Sequence, residues 1–139
     1  MKRIFAVAAF ACLNAAAGVT VKDAWVRGTV PGQDTTGAFM TVTSSEDAKL
    51  VEASSPIAKM TEIHQTMLMN GVNHMHPVGG IALPAGKPVK LESGGYHMML
   101  MGLSKPVGAG QKVPITLVVE TKGRRSKVEV QADVRPLGQ

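Results

Sequence analysis

In the stretch GGYHMMLMGL, residues 94–103, His97 and Met99 stand two positions apart. Side chains at i and i+2 of a strand point to one face, so this imidazole and this thioether are presented together. A second such pair lies upstream. Asn70-Gly71 separates the extended runs KMTEIHQTMLM and VNHMHPV. This dipeptide is a strong short hairpin signal, because both central positions of a type I′ turn need positive φ. A two-residue loop there sets Met69 opposite Val72, Met67 opposite His74 and Thr66 opposite Met75. His64 shares a face with Thr66 and so stands diagonal to Met75, within reach of long side chains. If the two strand pairs are neighbours, His64, Met75, His97 and Met99 converge.

Such a set is neutral and soft to borderline. Thioether sulfur is a poor partner for Mg²⁺ or Ca²⁺, which take oxygens. Zn²⁺ usually takes thiolate, imidazole or carboxylate. Cu(I) accepts thioether and imidazole together, whereas Cu(II) wants more nitrogen and oxygen. A blue-copper electron-transfer centre is excluded, because it needs a Cys thiolate beside two His. The one cysteine, Cys12, lies in the leader described below.

All four histidines fall between positions 64 and 97, and six of the nine methionines between 67 and 101. His74 shares the opposite hairpin face with Met67, and His76 goes with it. These two are either auxiliary ligands or exposed strand residues. Met101 shares the face of His97 and Met99 and is placed to pack over the ion. Met98 alternates against them and belongs to the core. Met40, Met60 and Trp25 also read as core, and Glu62 as either a partner for His64 or, as is commoner, an exposed strand carboxylate.

The elements that must hold these residues are short strands. AWVRGTV, GAFMTVT, KLVEASS, PVKLES, VPITLVVET and SKVEVQADV are punctuated by Gly, Pro and polar turns. No amphipathic helix stands out; SSEDAKLVEA is the best candidate and is short. The expected fold is an all-β antiparallel sandwich with Greek-key connections. One domain is expected over residues 18–139, which suffice for a single core. The basic run KGRRSK, Lys122 to Lys127, has no interleaved aromatics and reads as a hairpin turn. The formal charge is +5, or +3 without Lys2 and Arg3, so nucleic-acid binding has little support.

Residues 1–17 read as a signal peptide. Lys2 and Arg3 precede the apolar run 4–11, and Ala15-Ala16-Ala17 offers a cleavage site. Ala9-Phe10-Ala11 makes a poor lipid-attachment motif before Cys12. Cleavage at Ala17 would leave a thiol-free exported chain with no membrane span.

The spacing is similar to that of a known family. Ten residues separate His64 from Met75, and twenty-one separate Met75 from His97-x-Met99. With AWVRGTVPG, EIHQTMLMNGVNHMHPV and LPAGKPVKLESGGYHMMLMGL around them, they resemble the periplasmic copper chaperones called PCu(A)C, over nearly the whole mature chain. The resemblance implies a cupredoxin-like sandwich holding one Cu(I) near the surface at one end. It implies periplasmic delivery of that copper for cytochrome c oxidase assembly, to the CuA centre of subunit II or to a thiol-bearing assembly factor. A monomer is expected. The same site without a dedicated acceptor would make a copper-buffering or resistance protein. A metal-free binding module with a Met-rich core is the remaining alternative. No paired carboxylates, Ser-His-Asp order or phosphate loop points to an enzyme.

Overall fold

The computed structural model describes residues 18–136. The leader, with Cys12 and the cleavage position at Ala17, lies outside the described residues. Ten strands follow in order: β1 (Val19–Arg27), β2 (Thr35–Ser44), β3 (Ala48–Ser54), β4 (Met60–Met69), β5 (Val72–Pro77), β6 (Ile81–Leu83), β7 (Val89–Leu91), β8 (Tyr96–Met101), β9 (Lys112–Thr121) and β10 (Arg124–Arg135). Among the described residues there is no helix, and so none long and apolar enough to cross a membrane.

The strands pair in the order β5-β4-β8-β2-β1-β10-β9-β3-β6, with β7 also on β2. Every pairing is antiparallel except β1 with β10. The jumps from β4 to β8 and from β8 to β2 are long crossovers, the feature expected of Greek-key connectivity. β1 joins two halves that close over one core. Ile63, Met98 and Leu100 from one half share a cluster with Leu50, Ile115 and Leu117 from the other. Strict alternation drives this: β10 runs buried-exposed from Val128 to Val134, and β9 alternates likewise from Val113 to Val119. Each fully buried aliphatic side chain contributes about 1.5–3 kcal/mol.

Asn70 and Gly71 have φ of 52° and 79°. Both positions of the hairpin turn are therefore left-handed, as a type I′ loop requires. Lys122 and Gly123, at 53° and 78°, repeat this geometry between β9 and β10, so the basic run is a solvated hairpin turn.

SSEDAKLVEA, the best helical candidate, forms no helix, in line with the all-β expectation. Its Ser44 ends β2, residues 45–47 form a bend and the rest enters β3, where Leu50 is fully buried. Pairing with β6 and β9 outweighs its weak helical propensity. Met60 is 54% exposed rather than core. It opens β4 opposite Met101, on the outer face of the sheet. Trp25 is half-buried on that same outer face, its ring 4.6 Å from Phe39 and 4.4 Å from the Arg135 guanidinium carbon.

Candidate metal centre

The centre is built on the pairing of β4 with β8. His64 stands directly opposite His97, Glu62 opposite Met99, and Ile63 opposite Met98. Ile63 and Met98 are buried in the core. Alternation therefore turns His64, His97 and Met99 to the outer face together. On the other side of β4, Thr66 pairs with Met75, which makes Met75 the diagonal neighbour of His64. The hairpin register is the one Asn70-Gly71 implies. The His64 and His97 ring centroids are 5.8 Å apart. Met75, His97 and Met99 line one depression of about 210 Å³ with Arg27, Gly37 and Phe39. A larger cleft of about 590 Å³, beside β1 and β10, has no His or Met in its lining.

The two imidazoles are set up differently. His64 Nε2 lies 2.8 Å from Glu62 Oε1. A carboxylate only accepts, so Nε2 carries the hydrogen and the neutral ring holds its lone pair at Nδ1. That Nδ1 is buried without a hydrogen-bond partner. His97 Nδ1 donates to the Gly95 carbonyl at 3.2 Å, which leaves its lone pair at Nε2. An unpaired acceptor out of water is costly unless something else binds it. A metal ion is such a partner, and a carboxylate on the remote nitrogen is the usual support for a ligating His. Among the described residues, no three His, Cys, Asp or Glu side chains gather at one point. The further donors on this face are the thioethers of Met75 and Met99, which suit a soft ion.

Burial grades across the set. His97 is 4% exposed, the His64 side chain 14%, Met99 is half-buried, and Met75 is 56% exposed. Burial holds the His97 pKa below its ordinary 6.5; the hydrogen bond to Gly95 opposes this, and the charges of His64 and Arg27 add to it. The ring is thus held neutral, the form that binds metal. The unfolded chain takes up a proton at His97 near pH 6.5 that the folded chain refuses. Stability of the metal-free protein should therefore be greatest above pH 6.5 and fall as the pH drops through it. Urea melts between pH 7.5 and 5.5 should show this decline, and His97→Asn should flatten it. An unchanged slope in that variant would place the decline elsewhere.

Of the remaining sequence candidates, Met101 lies on the outer face two residues past Met99, half-buried between Thr35 and Met60. His74 and His76 flank Met75 on β5 and point to the other face, opposite Met67 and Gln65. They cannot join the outer-face set while the pleat holds.

Sequence reasoning missed the floor of the site. Gly37 pairs with Met99, and a Cβ there would meet Phe39 Cζ at 2.9 Å. Glycine thus lets the Phe39 ring fold back beside the methionine. Arg27 stacks over Phe39, its guanidinium carbon 5.1 Å from the ring centroid. The pairing of β2 with β8 brings Gly37 and Phe39 to His97, and that of β1 with β2 brings Arg27; no local motif announces either.

A helix-free sandwich of this topology is the cupredoxin-like fold of PCuAC domains. The copper-bound PCuAC domain from PmoF2 superposes with a TM-score of 0.69 at 22% identity, covering 87% of this chain and 96% of that one. Apo-DR1885 from Deinococcus radiodurans gives 0.64 at 33% identity, covering 98% and 93%. Its CuI form gives 0.59 at 33% identity, covering 88% and 78%. The chain belongs to the LpqE-like family, described as "Putative lipoprotein LpqE-like", which matches residues 19–134. A relative from Leifsonia xyli subsp. xyli, named a "Putative lipoprotein", is 42% identical over 103 residues. The match takes in 72% of this chain and 61% of that protein's length.

Proposed function

We propose that this protein is an exported copper carrier that binds one Cu(I) through His64, Met75, His97 and Met99 and passes it on. The observation that carries the reading is the buried, unpartnered Nδ1 of His64 beside the neutral His97, on the face that bears both thioethers. The CuI form of DR1885 supports the choice of ion. The leader over residues 1–17 and the lipoprotein names in the family support export, to the periplasm in the arrangement proposed here.

The gradient of exposure suits transfer rather than storage. His97 and His64 are fixed by hydrogen bonds, while Met75 sits on the rim and can be replaced first. An incoming thiolate is a stronger ligand for Cu(I) than a thioether. Copper then moves by ligand exchange with no change of oxidation state: each bond from copper to the carrier, that of Met75 first, breaks as one to the acceptor's thiolate forms. The acceptor is cytochrome c oxidase subunit II or a thiol-bearing assembly factor. Buffering without a dedicated acceptor would use the same centre.

Anaerobic titration against a chromophoric Cu(I) chelator should saturate near one equivalent. X-ray absorption of the loaded protein should show mixed nitrogen and sulfur scattering. Oxygen-only scattering, or no uptake, would end the proposal. Loss of oxidase activity at low copper in a deletion strain, restored by added copper, marks delivery; copper sensitivity with normal oxidase marks buffering.

A further inference from the structure

The pleat of β5 leaves two histidines unused by the centre above. We propose that His74 and His76 form a second, separate site, on the opposite face of the β4–β5 hairpin, for a borderline divalent transition ion, Cu(II) foremost. Among the described residues, β5 is the edge strand of the sheet and pairs only with β4. His74 and His76 are i and i+2 on it, so their Cβ atoms point one way and lie about 7 Å apart, two strand rises. Two imidazoles at that separation can close on one ion from either side.

β4 supplies the facing donors. Met67 stands directly opposite His74, and Gln65 directly opposite His76. Partner Cβ atoms in an antiparallel pair are about 4.5–5.5 Å apart. The patch thus offers two ring nitrogens, an amide oxygen and a thioether, with solvent free to complete the shell. Among the described residues, neither His74 nor His76 takes part in a side-chain hydrogen bond or an ion pair. His74 and Met67 are exposed, and His76 is half-buried, so an ion reaches them without unfolding. No Lys or Arg lies between Met60 and Gly86 to repel it from the same hairpin.

The donor chemistry sets the ion. Imidazole suits copper, nickel and zinc, and tetragonal nitrogen/oxygen sets favour Cu(II). Affinity should follow Cu(II) over Ni(II) and Zn(II), the ordinary order for such donors. Met75, between the two histidines, faces the other way, so the two sites share no donor although they share a strand. One hairpin then holds the soft monovalent ion on one face and the oxidised ion, which that set disfavours, on the other.

The test uses the mature protein with Cu(II) alone, read by electron paramagnetic resonance and by calorimetry with Ni(II). One equivalent of Cu(II) with imidazole-nitrogen hyperfine structure is expected. It should persist in His64→Ala/His97→Ala and weaken at least tenfold in His74→Ala/His76→Ala. The latter variant should still take up Cu(I) as wild type does, which also shows that it folds. No Cu(II) uptake, or a signal lost with His64 and His97 but kept without His74 and His76, would overturn the assignment. Failure of Cu(I) binding in the wild type would sink the carrier reading and leave this one standing.

Discussion

Replacing His64 and Met75 together by alanine should weaken Cu(I) binding by more than about 100-fold, the upper end of what losing even a supporting residue costs a metal site. The pair is chosen because the loss can be read apart from folding. Met75 is 56% exposed, so its truncation removes little buried surface. His64 contributes one hydrogen bond, to a Glu62 side chain that is itself 33% exposed, and water can replace it. Truncating Met75 is a surface change, usually within about 0.5 kcal/mol of wild type, whereas His64, its side chain 14% exposed, also gives up some packing. His97→Ala would be a poorer probe, because at 4% exposure its removal also opens the interior. Competition with a Cu(I) chelator measures the affinity, and circular dichroism measures the fold. An intact fold with wild-type affinity would show that the four donors do not act as a set. Met75→Ala alone should have the smaller effect and chiefly speed copper release.

The contrast between these residues marks what could be read from the chain. Asn70-Gly71 fixes the β4–β5 register because few dipeptides tolerate two successive positive φ values. Thr66 opposite Met75 followed from that local fact alone. His97 and Met99 share a face by alternation, which is also local. The pairing of His64 with His97 is not local. It joins β4 to β8 across a crossover containing β5, β6 and β7, and only assembly of the sandwich decides it. The same holds for Gly37 and Phe39, delivered beside His97 by β2, and for Arg27 at the end of β1. Trp25 and Met60 were misread for a related reason. An apolar residue read singly is assigned to the core, yet this sheet carries an aromatic and thioether stripe on its outer face as well. Which nitrogens of His64 and His97 face their hydrogen-bond partners follows from Glu62 and Gly95, and only Glu62, two residues from His64, left a trace in the sequence.

Leu100→Ala should lower stability by about 2–5 kcal/mol, the range for emptying a leucine site in a packed core. Leu100 is fully buried and lies between Met99 and Met101 on β8, opposite Thr36 of β2 and Thr61 of β4. Its side chain and that of Met99 leave the same strand in opposite directions, so β8 both fills the core and carries two of the proposed donors. Such a loss is a large share of a stability of about 5–15 kcal/mol, and the urea midpoint should fall with the slope unchanged. The donors on the other face are retained, so folded Leu100→Ala protein should still bind Cu(I) with the same stoichiometry. Copper binding to the folded state then returns stability by linkage, about 2.7 kcal/mol at a free ion level one hundred times the dissociation constant. Copper should therefore offset much of the deficit in Leu100→Ala, and much less in His64→Ala/Met75→Ala. Equal rescue of both variants would mean that copper stabilises the sandwich from somewhere other than the outer face of β8.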